Sequence, residues 1–391
     1  MKGSRPRVAF LASHPIQYQV PLFRLLARSP DVEFEVLFCT DHGVRSSFDV
    51  GFNRPIHYDV PLLDGYRHRF LRNVAPRPGL GFAGQLNPEI LADLSRSKFD
   101  ALVVHGYAAL TNLLALTAPR CGGTRVLLRG ESHLDEPRSR ATRMVKEPLL
   151  RVLFRRVDHF LAIGSLNTSY YRHYGVPDGR ITLAPYSVDN DHFAASADVE
   201  REDLRQRFGL RARVPLFLFC AKLIAVKRPL DAVRAFAKVR QKLECGLVVA
   251  GTGELEAEVV AEIDRLGLTG DVALLGFRNQ GELPAVYAAC DVLVLPSERE
   301  PWGLVVNEAM AAGLAIAISD RVGAGPDLVS DNGFVHRVGD VEALAAGLCR
   351  MAADPVALRT MRRKSRERIA GWGIPQTAEG FVQGVQAALS R

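Results

Sequence analysis

The sequence predicts an α/β protein with two parallel-sheet domains. Short apolar runs typical of buried strands alternate with helical stretches in the first half of the chain, which favours a parallel sheet. The same alternation restarts after a polar, charged stretch at 195–213. A chain of 391 residues is long enough for two domains of roughly 150–200 residues, each with its own core. We therefore expect one domain at 1–195 and a second at 196–371.

The elements of the first domain follow from the spacing of its apolar residues. Strands are predicted at 8–11, 34–39, 101–104, 125–128 and 160–163. Helices are predicted at 20–28, 88–95 and 168–174. Because strands and helices alternate, the strands are expected to run parallel.

The second domain is predicted in the same way. Its strands are expected at 216–220, 247–250, 272–275, 292–295 and 315–318. Pro229 suits the first turn of a helix that follows the first of these strands. A last helix is predicted from about Trp372 to Leu389.

The segment 296–320 combines a strand end, a glycine turn, a helix and two carboxylates. The strand 292–295 ends before it, and an apolar helical pattern follows the turn at Gly303 until Gly313 stops it. Glu300 is predicted in the loop at the carboxyl end of the strand. Glu308 lies eight positions later, about two turns down the helix. One carboxylate is therefore placed for each end of a ligand.

Ligands of open parallel sheets bind beyond the carboxyl ends of the strands. The amides of Gly303, Leu304 and Val305 are expected to be the unpaired first donors of the helix, a position that attracts phosphate. Glu300 and Glu308 can accept hydrogen bonds from sugar hydroxyls. The combination suits a sugar nucleotide. Taken alone, the two glutamates would favour a solvated loop glutamate and an ordinary helix glutamate.

The string Pro-Ser-Glu-Arg-Glu-Pro-Trp-Gly-Leu-Val-Val-Asn-Glu-Ala-Met-Ala-Ala-Gly at 296–313 resembles the E-x7-E signature of glycosyltransferase family 4. This resemblance implies the GT-B fold, in which two Rossmann-like parallel α/β domains face each other across a cleft and the last helix, here 372–391, crosses back to the first domain. It also implies a retaining glycosyltransferase that moves a sugar from a nucleoside diphosphate sugar, here expected to be a UDP-sugar, to an acceptor hydroxyl. No metal or other cofactor is expected.

The resemblance assigns roles to the residues of the second domain. It implies that Glu308 binds the ribose of the donor, Glu300 the transferred sugar, and the amides at 303–305 the sugar or the phosphate. Lys222 and Lys227 resemble the family's Arg-Leu…Lys-Gly element, whose cations hold the diphosphate. Lys222 replaces an arginine that is common there, so it lacks a bidentate grip.

Two glycine-containing turns resemble further donor-side elements of the family. Gly251 and Gly253 follow a predicted strand and resemble its Gly-x-Gly turn beside the donor. Phe277 and Arg278 follow Gly276 and resemble the turn whose backbone meets the nucleobase.

Polar residues follow the strands of the first domain. His105 closes a predicted strand at a position where the family often carries a polar residue on the sugar or acceptor side, which makes it a candidate catalytic residue. Arg129, Glu131 and His133 follow the next strand and are candidates for acceptor contact, because parallel strands end at one edge of a sheet. His14 follows the first strand, where many family members carry a glycine-rich loop instead.

The formal net charge of +7 favours anionic partners. Basic and apolar residues are interleaved at 138–156, which predicts either a basic amphipathic helix on an anionic membrane or a core-packing helix with a solvated basic face. Nucleic-acid binding is not expected, because no aromatic-interleaved basic motif is present.

The six cysteines are scattered without a C-x-x-C pair, which indicates reduced thiols and no metal site. The first residues lack the apolar core of a signal peptide, and no run of eighteen apolar residues occurs. We therefore expect a cytoplasmic protein, and the stretch 138–156 leaves peripheral association with the inner membrane surface open as one of its two interpretations.

Three alternative functions share the same scaffold, because a fold does not fix a reaction. The chain could glycosylate a small natural product instead of a glycan or glycoconjugate. It could be a nucleotide-sugar epimerase or hydrolase. It could also be a non-catalytic sensor of sugar nucleotides.

Overall fold

The computed structural model describes residues 5–44, 47–49, 51–118, 123–135, 140–195, 205–206, 209 and 215–391. Internal packing divides the chain into two compact units. Unit 1 comprises residues 1–47, 61–186 and 374–391, and unit 2 comprises 48–60 and 187–373. Each unit is built on a parallel sheet, which confirms the predicted fold class.

Unit 1 contains seven parallel strands in the order β5-β2-β1-β6-β7-β8-β9. The strands are β1 (Arg7–Ala12), β2 (Glu33–Phe38), β5 (Arg67–Phe70), β6 (Ala101–His105), β7 (Arg125–Arg129), β8 (His159–Ala162) and β9 (Ile181–Leu183). Its helices are α1 (Val20–Arg28), α2 (Glu89–Ser95), α3 (Leu110–Thr117), α4 (Arg140–Arg155) and α5 (Ser165–His173), together with the final helix α14 (Ile374–Leu389).

The final helix packs on the sheet of unit 1 through small residues. A Cβ atom at Gly380 would stand 2.1 Å from the carbonyl oxygen of Leu183, and one at Gly384 would stand 2.3 Å from the side chain of Leu161. Between these glycines Phe381 is fully buried, and its ring lies 6.3 Å from that of Phe10. The close approach of helix and sheet therefore depends on glycine at both positions.

Unit 2 contains six parallel strands in the order β12-β11-β10-β13-β14-β15. The strands are β10 (Leu216–Cys220), β11 (Gly246–Ala250), β12 (Val272–Gly276), β13 (Val292–Leu295), β14 (Ala315–Ser319) and β15 (Gly333–His336). Its described helices are α6 (Asn190–Ala194), α7 (Pro229–Arg240), α8 (Glu256–Arg265), α9 (Leu283–Ala289), α10 (Leu304–Ala311), α11 (Gly325–Leu328), α12 (Val341–Ala353) and α13 (Pro355–Ile369).

The predicted strands and helices are present, and their ends differ by up to three residues. Five strands were not predicted: β5, β9, β15, and the two-stranded sheet of β3 (Ser47–Asp49) and β4 (Arg54–Ile56). The last helix begins at Ile374 instead of near Trp372. Helix α4 continues through Pro148. Most of the predicted polar stretch at 195–213 lies outside the described residues.

Two features of the described part of the chain bear on the sequence predictions. Among those residues, no helix is both long enough and apolar enough to cross a lipid bilayer. In the same residues, no group of three or more His, Cys, Asp or Glu side chains is arranged to hold a metal ion. The described cysteines, which are Cys39, Cys220, Cys245, Cys290 and Cys349, are free thiols.

Candidate active site

Lys227 and Glu300, which were predicted separately, form one ion pair in unit 2. Lys227 ends the short 3-10 turn Ala225–Lys227 that follows β10. Glu300 follows β13, and its backbone forms an isolated parallel bridge with Val322. The two side chains are only 19% and 14% exposed, and Ser297 Oγ lies 3.4 Å from the glutamate oxygen that meets the lysine. A cation and an anion are therefore held together at the carboxyl end of the sheet.

Gly303 links this ion pair to helix α10. Its φ angle is 96°, in the left-handed region that favours glycine, and a Cβ atom there would stand 2.9 Å from Cγ of Glu300. Helix α10 begins at the next residue, so its first amides, at Leu304 and Val305, lack partners within the helix. The helix starts directly after Gly303, as predicted, but Glu308 lies just over one turn into it instead of two, because the eight-position spacing begins at Glu300 in the loop.

Glu308 is anchored by a tyrosine of a neighbouring helix. The hydroxyl of Tyr287, on α9, donates a hydrogen bond of 2.6 Å to Glu308 Oε2. Sγ of Cys220, the last residue of β10, lies 3.6 Å from the same hydroxyl. Burial raises the pKa of Glu308 to about 7, although the hydrogen bond from Tyr287 acts to lower it. Glu308 therefore exchanges its proton near neutral pH.

The turn 251–253 brings the ends of three strands together. Gly251 has a φ of +151°, and a Cβ atom at this position would stand 1.9 Å from the carbonyl oxygen of Ala221, in the loop after β10. Its amide donates to the carbonyl of Gly276 at the end of β12. A Cβ atom at Gly253 would likewise stand 2.4 Å from the Leu223 carbonyl oxygen. The predicted glycine turn is thus a close backbone contact among β10, β11 and β12.

The segment 48–60, from the first part of the chain, packs on these loops. Lys222 Nζ lies 2.8 and 3.0 Å from the two carboxylate oxygens of Asp49 and 4.6 Å from the ring centre of Phe52. Thr252 Oγ1 donates to the Phe52 carbonyl at 3.1 Å. Lys222 is therefore paired with a carboxylate of this segment.

The same segment contacts the turn that was predicted to meet the nucleobase. The ring of Phe52 meets that of Phe277 edge-on at 5.0 Å, and the guanidinium of Arg54 lies 5.3 Å from the centre of the Phe277 ring. Arg278 instead pairs with Glu282, one helical turn along the chain, at 2.8 Å. Phe277 therefore packs against this segment, and Arg278 forms an ion pair with Glu282.

Unit 1 brings two of its predicted residues together. His105 Nε2 lies 3.6 Å from Glu131 Oε1 and 3.2 Å from the side-chain amide nitrogen of Gln19. Tyr186 donates a hydrogen bond of 2.5 Å to the same carboxylate, and the Tyr18 hydroxyl lies 3.1 Å from that of Tyr186. Burial acts to raise the pKa of Glu131, but His105, Tyr186 and the nearby Arg129 together hold it below the usual range.

The other predicted residues of unit 1 have different surroundings. Arg129 is buried, and its guanidinium donates to the carbonyl oxygen of Ala184 at 2.7 Å, so it ties β7 to the chain after β9. His14 accepts or donates a 2.8 Å hydrogen bond with Ser13 Oγ and packs edge-on against His42. Burial lowers the pKa of His14 to about 4, so it is neutral at pH 7. His133 is buried.

Sequence reasoning missed Asp49, Tyr287, Cys220, Tyr18 and Tyr186. Asp49, Tyr287 and Tyr186 each contact a predicted residue that is distant in sequence, as Asp49 contacts Lys222 over 173 positions. Cys220 and Tyr18 contact Tyr287 and Tyr186 in turn. A polar residue at the end of a predicted strand was an available signal only for Cys220. The other four carry no local pattern that separates them from ordinary core or loop residues.

Comparison with known proteins gives a consistent result. Residues 200–369 match the family model described as glycosyl transferases group 1. D-inositol 3-phosphate glycosyltransferase of Nocardiopsis dassonvillei is 28% identical over 311 residues, which are 74% of this chain and 71% of that protein. The chain is therefore similar to proteins named as glycosyltransferases.

Other glycosyltransferase relatives align over less of their length. 2-Deoxystreptamine glucosyltransferase of Streptomyces kanamyceticus is 34% identical over 49% of this chain and 50% of that protein. N-acetyl-alpha-D-glucosaminyl L-malate synthase of Bacillus anthracis is 29% identical, and the chain spans 43% of its length.

Solved structures share the fold over nearly the whole chain. The Anabaena protein HepE, solved with UDP and glucose, superposes with a TM-score of 0.72 at 18% identity, covering 98% of this chain and 100% of that one. A glycosyltransferase from Rickettsia africae gives a TM-score of 0.75 at 13% identity, covering 99% and 100%. The two parallel-sheet units therefore have the GT-B fold.

Proposed function

We propose that this protein is a retaining glycosyltransferase that moves a sugar from a UDP-sugar to an acceptor hydroxyl without a metal ion. The observation that carries the proposal is the Lys227–Glu300 ion pair beside the first turn of α10. There a cation, a carboxylate and the unpaired amides of a helix start lie at the carboxyl end of a parallel sheet. The proposal assigns donor binding to unit 2 and the acceptor to unit 1.

The proposed chemistry requires charge stabilisation of the departing diphosphate. Negative charge on the diphosphate grows as the sugar bond breaks, and a fixed cation lowers that barrier. The ammonium group of Lys227 has three donors, so it can hold Glu300 and a phosphate oxygen at the same time. Lys222 and the amides of Leu304 and Val305 would supply further positive potential. In this scheme the lysines take the part that a metal ion plays in other phosphate chemistry.

The carboxylates are assigned to the sugar groups of the donor. Glu308 would accept hydrogen bonds from the ribose hydroxyls, and Glu300 from the transferred sugar. We propose that the acceptor hydroxyl attacks the face from which the diphosphate leaves and that the leaving phosphate takes the acceptor proton. The bond to the diphosphate breaks as the new glycosidic bond forms, and the anomeric configuration is retained.

The choice of a UDP-sugar is supported by similar structures that contain UDP. A relative named for GDP-mannose dependence, from Mycolicibacterium smegmatis, supports the competing choice of a GDP-sugar. A panel of UDP-, GDP- and ADP-sugars, scored by thermal stabilisation and by slow diphosphate release, tests the donor. The matched control is Glu308→Ala, which removes the ribose acceptor. We expect one donor to stabilise the wild type and not the variant.

Product analysis with the selected donor tests the reaction class. A transferred sugar with retained anomeric configuration, read by NMR, is the expected result. Free sugar released without an acceptor would instead favour a hydrolase, and epimerised donor would favour an epimerase. Donor binding with no turnover across an acceptor panel would favour a sensor, and no binding of any donor would overturn the proposal.

We propose a glycan, lipid-linked or other glycoconjugate acceptor, handled by the His105–Glu131 pair of unit 1. A relative named 2-deoxystreptamine glucosyltransferase supports the second candidate, a small natural product with hydroxyl groups. Competition between a water-soluble aminocyclitol and a lipid-linked sugar, at equal donor concentration, distinguishes the two. Arg129 and His133 stay predicted contacts of the acceptor in unit 1.

We also propose a cytoplasmic protein that binds an anionic membrane surface through α4. On this helix Met144, Leu149 and Val152 are 76%, 62% and 57% exposed, an unusual extent for apolar side chains, and Lys146 and Arg151 lie near them in sequence. Residues 138–139 of the predicted basic stretch lie outside the described part of the chain. Co-sedimentation with vesicles containing anionic lipid, compared with neutral vesicles, tests this; Leu149→Glu should lower the bound fraction. Equal binding by both vesicle types or by both proteins would contradict it.

A further inference from the structure

Tyr287 lies where one side chain can control the charge of Glu308. It is fully buried on α9, its ring packs edge-on against that of Phe193 at 5.8 Å, and its hydroxyl donates to Glu308 Oε2 at 2.6 Å. The hydroxyl has a single proton, and the shorter contact indicates that Tyr287 donates it in the hydrogen bond to Glu308. Burial raises the pKa of the Cys220 thiol to about 12, so the thiol stays protonated and can donate to the tyrosine oxygen.

We infer that Tyr287 is a positioning residue for donor recognition, acting through Glu308; this inference rests on the proposed role of Glu308 at the donor ribose. The tyrosine occupies Oε2 and leaves Oε1 for a ligand hydroxyl. It also fixes the rotamer of a half-buried carboxylate before the donor arrives, which lowers the entropy lost on binding. Tyr287 itself need not touch the donor.

The second consequence concerns the proton on Glu308. A hydrogen bond donated to a carboxylate favours its charged form. Without that bond, the half-buried Glu308 keeps its proton to a higher pH and is a poorer acceptor for the two ribose hydroxyls. The hydrogen bond from Tyr287 therefore lets Glu308 bind the donor at a lower pH than it could without that bond.

The test compares Tyr287→Phe with wild type in donor KM and kcat across pH 5.5–9. The matched control is Tyr66→Phe in unit 1, which also removes a buried tyrosine hydroxyl that donates to a single acceptor, the Leu62 carbonyl. We expect Tyr287→Phe to raise donor KM about tenfold at pH 6.5 with kcat changed less than twofold, since about 1 kcal/mol or slightly more is typical of one buried hydrogen bond. The acidic limb of kcat/KM should move to higher pH. The control should change neither.

A double-mutant comparison separates positioning from general packing. In a Glu308→Gln background, Tyr287→Phe should have no further effect on donor KM or on the pH profile, because the charge that it controls is absent. An equal loss in both backgrounds, or a fall in kcat with an unchanged pH limb, would overturn the inference.

A readout without turnover keeps the two proposals distinguishable. The carboxyl 13C resonance of Glu308, assigned by its loss in Glu308→Gln, reports protonation in the ligand-free protein. Titration to a higher midpoint in Tyr287→Phe supports the control of Glu308 even if no donor is turned over, in which case only the proposed function fails. An unchanged midpoint with an active wild type overturns this inference and leaves the proposed function standing.

Discussion

Asp49→Asn tests the ion pair between Asp49 and Lys222. If the donor diphosphate binds Lys222, as proposed, it must compete with the Asp49 carboxylate, whose two oxygens lie 2.8 and 3.0 Å from the ammonium nitrogen. Asparagine keeps the side-chain oxygen that accepts from the amides of Gly51 and Phe52 at 2.8 and 3.0 Å. The substitution therefore removes the charge and preserves the turn.

The magnitude follows from the exposure of the pair. The lysine and aspartate side chains are 32% and 26% exposed, so solvent screens much of their attraction, and a net value of about 1 kcal/mol is reasonable. Removing that competition should tighten donor binding by roughly fivefold. Burial acts to raise the pKa of Asp49, but the bonds from Lys222 and the two amides hold it below the usual range, so the effect should persist from pH 5 to 8.

Isothermal titration with UDP and with the selected UDP-sugar measures the change. Lys222→Met is the reference background, in which Asp49→Asn should have no effect on affinity. Higher salt should narrow the difference between wild type and Asp49→Asn, since screening weakens the competing pair. Unchanged or weaker binding by Asp49→Asn, with Lys222→Met still impaired, would show that the two side chains act together on the donor and would refute the competition.

Three other substitutions test separate parts of the site. Lys227→Ala should lower kcat by about 10²-fold or more, and it should lower the free energy of unfolding in urea by about 1–3 kcal/mol because Glu300 loses its partner in a poorly hydrated position. If the matched variant Glu300→Gln had near-wild-type kcat, the ion pair would have no part in catalysis. Gly251→Ala should destabilise the protein by about 2 kcal/mol or more, measured as a lower Tm. The control Gly270→Ala, whose added Cβ has no atom within 4 Å, should change Tm little, and equal shifts in Tm would contradict the close contact at Gly251. Glu308 has a pKa of about 7 in the folded protein against 4.5 for an ordinary glutamate, so its ionisation opposes folding and stability is lost as pH rises from about 4.5 to 7. Glu308→Gln should therefore be more stable than wild type at pH 8 and not at pH 4.5. A stability difference that does not depend on pH would contradict the raised pKa of Glu308.

The strands and helices that the sequence predicted are those with a continuous apolar signal. Strands β10 and β13 and helix α1 have the predicted bounds, because each is an apolar run or an apolar stripe bounded by a turn residue. Strands β3 and β4 were missed because they are three residues long, and β4 contains Arg54 and Pro55 where a strand pattern would need apolar residues. Their position depends on contacts with distant residues.

The candidate site was predicted residue by residue but not as pairs. Glu300 and Lys227 were each recognised from local motifs, yet the 73 positions between them carry no information on their contact. The same holds for Tyr287 and Glu308, which lie on different helices. Local patterns therefore predict which residue types lie at the strand ends, whereas tertiary packing determines which of them form hydrogen bonds or ion pairs with each other.

The assignment of residues 48–60 to unit 2 and of α14 to unit 1 affects how the protein is synthesised and engineered. On the ribosome, residues 48–60 emerge long before Lys222, and unit 1 lacks its last helix until residues 374–391 have been made, so neither unit completes its packing in the order of synthesis. A fragment cut at 187–373 would leave Asp49 and Phe52 behind and expose the loops that they cover. Under the proposed function, a chimera that exchanges donor specificity between this protein and a relative should therefore carry residues 48–60 together with 187–373.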